Sequence, residues 1–120
     1  MLELFQAEWC PASRRVRQRL TELGLDYVNR QVPVEREERS ALVETTGADS
    51  IPVLLLENGS AIVGEENILA YLGEHYVETE ASQAHRCKAA KMHARLLSEE
   101  CQCAPAPERE QLAARAAASM

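Results

Sequence analysis

The segment Cys10-Pro11-Ala12-Ser13-Arg14-Arg15-Val16-Arg17 holds the most reactive side chain type in the chain beside a run of cations. A cysteine attacks electrophilic sulfur or carbon as its thiolate, and a positive microenvironment favours that form. Arg14 and Arg15 supply such an environment, whereas Glu8 opposes it. The competing reading makes Cys10 a small buried hydrophobe. Its position after Trp9 and before a proline favours the reactive reading. The other soft ligands, His85, Cys87, His93, Cys101 and Cys103, match no zinc spacing, so no metal is expected.

The thiol needs a scaffold to hold it, and the pattern around it provides one. Leu2 to Phe5 is a short apolar run, followed by a polar break and then Pro11 opening a helical pattern with Val16, Leu20 and Leu23 on one face. A strand followed by a helix puts Cys10 at the helix N-terminus, where backbone N–H groups and the dipole stabilise a thiolate. Gly24 stops the helix, and Asp26 to Val32 reads as a second strand. Glu35 to Thr46 predicts a short exposed helix capped by Gly47. Ile51 to Leu56 and Ala61 to Val63 flank Asn58-Gly59 as a hairpin, and Glu65 to Tyr76 follows as an amphipathic helix with carboxylates in its first turn. The predicted order is β-α-β-α-β-β-α, an α/β fold with a mixed four-stranded sheet.

Past Val77 the composition shifts to Ala, Gln, Arg and Glu, and a helix is predicted from about Glu80 to Glu100 before Pro105 and Pro107 interrupt it. Residues 108–120 read as a marginal helix or a frayed tail. The expected division is a domain over 1–77 and a helical extension over 78–120.

Composition limits the function classes. The chain of 120 residues is 46% apolar and 27% charged, enough for one core. Its first 78 residues carry fourteen carboxylates against seven arginines and no lysine, a balance that repels nucleic acid and anionic membrane. Met1 to Phe5 lacks a basic n-region and a long apolar stretch, so a cytoplasmic location with reduced thiols is expected.

A strand, a Cys-Pro-x-Ser motif, a basic helix and then Thr46-Gly47-Ala48-Asp49-Ser50-Ile51-Pro52 resemble the pattern of glutaredoxins. Residues 10–17 are also similar to the opening of cysteine-type glutathione transferase N-terminal domains. Both families have the thioredoxin fold, and the resemblance covers residues 1–77. It implies a cis Ile51–Pro52 bond and a strand-like pairing of the Ile51 backbone with the cysteinyl unit of glutathione. It further implies that Gly64, Glu65 and Glu66 hold the γ-glutamyl end, although glutaredoxins carry Gly-Gly-x-Asp there and transferases Glu-Ser or Gln-Ser. First-turn acids are equally ordinary helix stabilisers. Pro11, Ser13 and Arg14 complete the expected site. The lysine that glutaredoxins place before the cysteine is replaced by Ala7 and Glu8, which leaves Arg39, Arg36 or Arg14 as substitutes for the glycine carboxylate anchor.

Ser13 stands where a second cysteine would resolve a mixed disulfide, so the implied chemistry is monothiol, with glutathione as co-substrate and glutathionylated molecules as substrates. The alternatives are a transferase-like enzyme or subunit, and a non-catalytic interaction module. In either, a homodimer or protein partner would engage the C-terminal helix.

Overall fold

The computed structural model describes residues 1–99. A four-stranded sheet has the order β2-β1-β3-β4, with β1 at Leu2–Gln6, β2 at Tyr27–Gln31, β3 at Val53–Leu55 and β4 at Ala61–Val63. β1 runs parallel to β2 and antiparallel to β3, and β4 returns antiparallel to β3. The helices are α1 (Pro11–Glu22), α2 (Ser40–Thr46), α3 (Glu65–His75) and α4 (Glu80–Glu99). This mixed sheet with its β-α-β-α-β-β-α order is the thioredoxin fold.

Successive residues of a strand face opposite sides of the sheet, and the two central strands are apolar on both. Leu4 and Leu54 face α1 and α3, packing with Val16, Leu20, Ile68 and Leu72. Their neighbours Phe5 and Val53 face the other way and pack with Leu42 of α2. Edge strand β2 is covered much less, with only Tyr27 half-buried and the rest exposed. The Asn58-Gly59 turn closes the hairpin through Leu56 N–H to Ser60 C=O at 2.8 Å, with Gly59 at φ 88°.

The region expected to be one helix over 35–46 is instead a 3-10 turn at Arg36–Glu38 followed by α2. The break falls at Arg39, whose backbone (φ −88°, ψ 46°) is not helical. Its guanidinium folds inward to take the carbonyls of Pro33, Val34 and Asp49 at 2.8, 3.0 and 2.8 Å. Gly47 caps α2 in the left-handed region, as its position in the sequence predicts (φ 78°). The expected strand from Ile51 shortens to Val53–Leu55, since Ile51 and Pro52 form the cis bond that precedes it.

Residues 1–89 form one compact unit, and a second begins at Ala90. The start of α4 belongs to the first unit through a polar cluster. The buried Ser82 hydroxyl donates to the Glu22 carbonyl at 2.6 Å. The Glu22 carboxylate accepts from Gln18, Arg19 and Arg86, each at 3.0 Å, while Arg19 and Arg86 also pair with Glu78. Cys101, Cys103, Pro105, Pro107 and the tail over 108–120 lie outside the described residues. No helix among the described residues is long and apolar enough to cross a membrane.

Candidate active site

Strand register gathers the predicted site. Phe5, near the end of β1, pairs with Val53, the first residue of β3, and Val53 pairs with Val63, the last of β4. The β1–α1 loop, the Ile51–Pro52 bond and the start of α3 therefore meet at one end of the sheet. The Gly64 N–H donates to the Pro52 carbonyl at 3.0 Å, fixing α3 to the segment before β3. Gly64 adopts φ 92° and ψ 148°, a conformation that needs glycine. Two helix N-termini, those of α1 and α3, thus open at this end.

Cys10 is the N-cap of α1, half-buried, with Pro11 at the first helical position, where its missing N–H costs nothing. The sulfur accepts from the Ser13 N–H at 3.4 Å. The Cys10 N–H donates to the Ala7 carbonyl at 3.1 Å, and the Ala7 N–H donates to the Ser13 hydroxyl at 3.5 Å. Burial pushes the thiol up, but the Ser13 hydroxyl, the Ser13 and Ala12 N–H groups and the charge of Arg15 outweigh it and hold Cys10 below its ordinary value. Ser13 is fully buried and so serves the thiol directly as well as standing in for a second cysteine.

The Ile51–Pro52 peptide is cis, as the resemblance implies. Among the described residues neither the N–H nor the C=O of Ile51 enters a hydrogen bond, which leaves an open backbone edge beside Cys10's end of the sheet.

The arginines of α1 are less available than their number suggests. Arg15 makes a two-pronged pair with Glu65, one arm at 2.9 Å, joining the N-terminal half of α1 to the first turn of α3. This pair holds the Glu65 carboxyl below the usual range. Arg17 bonds the buried Gln6 side chain and pairs with Glu8 at 3.3 Å, so the acid nearest Cys10 in sequence has a cation of its own. Arg19 lies further along the helix, committed to Glu22 and Glu78. Arg14 is exposed in the first turn, and Glu66 is exposed at the start of α3.

Arg39 departs from its expected role. It is 5% exposed and its fork is taken by three backbone carbonyls, which makes it a tether for the loops around α2 rather than a surface anchor for a carboxylate. Sequence reasoning also missed Gln6 and Arg17. A polar residue directly after the apolar pair Leu4-Phe5 at the end of β1 was the available signal. No group of metal-ligating side chains is assembled among the described residues.

A family described as glutathione S-transferase, N-terminal domain, matches residues 4–80. A glutathione S-transferase structure from Rhodospirillum rubrum F11 is 31% identical, with a TM-score of 0.55, over 63% of this chain and 34% of that one. One from Sinorhizobium meliloti 1021 is 30% identical (TM-score 0.56), over 62% and 32% of the two chains. A glutathione transferase family member from Pseudomonas fluorescens Pf-5, with bound glutathione, is 25% identical (TM-score 0.59), over 75% and 49%. The chain thus spans between about a third and a half of the length of these proteins. No curated protein matches it.

Proposed function

As the chain belongs to the glutathione S-transferase N-terminal domain family, we propose that it binds glutathione at the Cys10 end of the sheet and acts as a monothiol thiol-disulfide oxidoreductase. The observation that carries the proposal is Cys10 itself. It is an accessible thiol at a helix N-cap, lowered by four donors and charges, with Ser13 in the resolving position. Support for the ligand comes from the relative that holds bound glutathione, from the open Ile51 backbone edge and from the N-terminus of α3. Such an edge pairs with an extended peptide through main-chain bonds, and helix N–H groups suit a carboxylate.

The reaction is two exchanges. The Cys10 thiolate attacks the glutathione sulfur of a mixed disulfide, forming a Cys10–glutathione disulfide and breaking the bond to the substrate sulfur, which leaves as a thiolate and takes a proton from water. A second glutathione thiolate then attacks the bound glutathione sulfur, releasing oxidised glutathione and restoring Cys10. The net exchange turns the mixed disulfide and one free glutathione into the substrate thiol and oxidised glutathione. The reading places the chain in a reducing cytoplasm.

A transferase-like enzyme or subunit is the second reading, favoured by the fact that the matched family and structures are glutathione S-transferases. It predicts conjugation of small electrophiles in place of disulfide turnover.

Trp9, the sole tryptophan, is 59% exposed next to Cys10 and offers a direct signal. Glutathione titration should change its fluorescence, and a glutathione mixed disulfide should give turnover and a Cys10 adduct by intact mass, both absent in Cys10→Ser. Binding without turnover, with conjugation of an electrophile, would replace the first reading by the second. No binding, adduct or turnover would refute both.

A further inference from the structure

Arg17 sits seven residues after Cys10 and one turn beyond Ser13, on the same face of α1, and it reaches back to the loop that carries the thiol. One of its nitrogens bonds the Gln6 carboxamide oxygen and lies 3.5 Å from the Ala7 carbonyl, the same carbonyl that accepts the Cys10 N–H at 3.1 Å. Another lies 3.3 Å from the Glu8 carboxylate. Gln6 is fully buried at the end of β1, and its amide passes the chain on to Gln31 of β2 at 3.3 Å. Arg17 is itself mostly covered, with 16% of its side chain exposed, against 80% for Glu8. The cation is therefore fixed by the sheet, and the acid comes to it.

We infer that Arg17 is a positioning residue for Cys10, holding the Ala7–Cys10 turn by its carbonyl and keeping the Glu8 charge paired and away from the sulfur. Glu8 is two residues from the thiol and is the nearest acid in sequence. Left unpaired on a flexible, exposed side chain, it would oppose the thiolate that the other groups favour. The charged and titratable groups around this point are Arg14 and Arg15 on α1, Glu65 on α3, Glu8 in the loop and Tyr27 on β2. Tyr27 feels both Arg17 and Glu8, and its burial raises its phenol. Of the acids among them, Glu65 is taken by Arg15, and Glu8 is the one Arg17 controls. The inference rests on the reading of Cys10 as the reacting thiol.

The test is alkylation of Cys10 by iodoacetamide as a function of pH, read by peptide mass spectrometry so that the other cysteines do not contribute. In Arg17→Gln the midpoint should rise and the rate near neutrality fall about three- to fivefold, as expected for one uncompensated charge in partly hydrated surroundings. Adding Glu8→Gln to that variant should restore the wild-type profile, and added salt should erase most of the difference. Glu8→Gln alone changes an exposed residue, so it keeps the fold, and it should lower the midpoint slightly.

An Arg17→Gln profile matching wild type would overturn the inference, as would a slowed profile that Glu8→Gln fails to rescue. Should Arg17→Gln not fold, the comparison is made with Arg17→Met, whose apolar stem suits the covered site, and a wild-type profile there would overturn it. A wild-type Cys10 that titrates no lower than the same peptide in the denatured chain would instead refute the reactive-thiol reading beneath it.

Discussion

Replacing Ser13 by alanine should raise the midpoint for Cys10 ionisation by about one pH unit, since the hydroxyl is one of the two side-chain groups that favour the thiolate. A hydrogen bond to an ionised group contributes about 1.5–3 kcal/mol, and a tenfold change in an ionisation constant corresponds to about 1.4 kcal/mol. The lower end applies here, because sulfur is a weak acceptor and the Ser13 and Ala12 N–H groups remain in place. Below the midpoint the thiolate fraction, and with it the alkylation rate, should drop by up to about tenfold. The same hydroxyl accepts from the Ala7 N–H at 3.5 Å. That bond is long, so the expected loss of folding stability is small, about 1 kcal/mol. Iodoacetamide rates across the pH range, with a urea melt on the same sample, separate the two effects. An unchanged midpoint in a folded Ser13→Ala protein would refute the reasoning, and would mean that the backbone donors and Arg15 alone hold the thiol down.

Arg39→Met should cost on the order of 3 kcal/mol in a denaturant melt, because three carbonyls lose their donor in a covered loop. Glutathione affinity should change little in the folded fraction, and a large selective loss of affinity would return Arg39 to the role of carboxylate anchor. Gly64→Ala should destabilise by about 1–3 kcal/mol from backbone conformation alone, since an added Cβ meets nothing nearby. Burial pushes Glu22 up, but bonds from Gln18, Arg86 and Arg19 hold it below the usual range, and the bond from Arg19 does the same for Glu78. The folded state then binds fewer protons than the unfolded one, so this contribution is complete above the ordinary value of 4.5 and is lost as pH falls through the folded values. Arg86→Ala should flatten that acid limb in thermal melts taken below about pH 5, and an unaltered limb would count against the cluster.

The element order was readable because each segment declares its period. Leu4-Phe5 and Val53-Leu54 put apolar side chains on both faces, as strands with helices on either side must. Val16, Leu20, Ile68 and Leu72 recur at helical spacing and meet in one core. The two motifs of the resemblance located Cys10 and the cis Ile51–Pro52 bond. Pairing was not readable. Arg15 to Glu65 spans 50 residues and Arg86 to Glu22 spans 64, and only the fold decides which acid each cation reaches. Arg39 shows the limit most clearly. From sequence it belongs to a charged stretch that reads as a solvated helix, yet the loops at Pro33 and Asp49 present carbonyls that a bent guanidinium satisfies together, and that demand breaks the helix.

The pairing also changes what an acidic domain can bind. Counted from the sequence, carboxylates outnumber arginines two to one over the first 78 residues, which argues against nucleic acid and anionic membrane. At the Cys10 end of the sheet, however, Glu8 is held by Arg17 and Glu65 by Arg15. With those charges matched, the dipole ends of α1 and α3 and the Ile51 peptide become the main features an incoming molecule meets there. Backbone donors recognise a carboxylate or an extended peptide without regard to side-chain identity. On the proposed reading, the replacement of the upstream lysine by Ala7 and Glu8 removes one charge contact but leaves that backbone surface intact. The positive field at the thiol then comes from how the helices end together with the charge of Arg15, and Arg15 and Arg17 also keep acids from cancelling it.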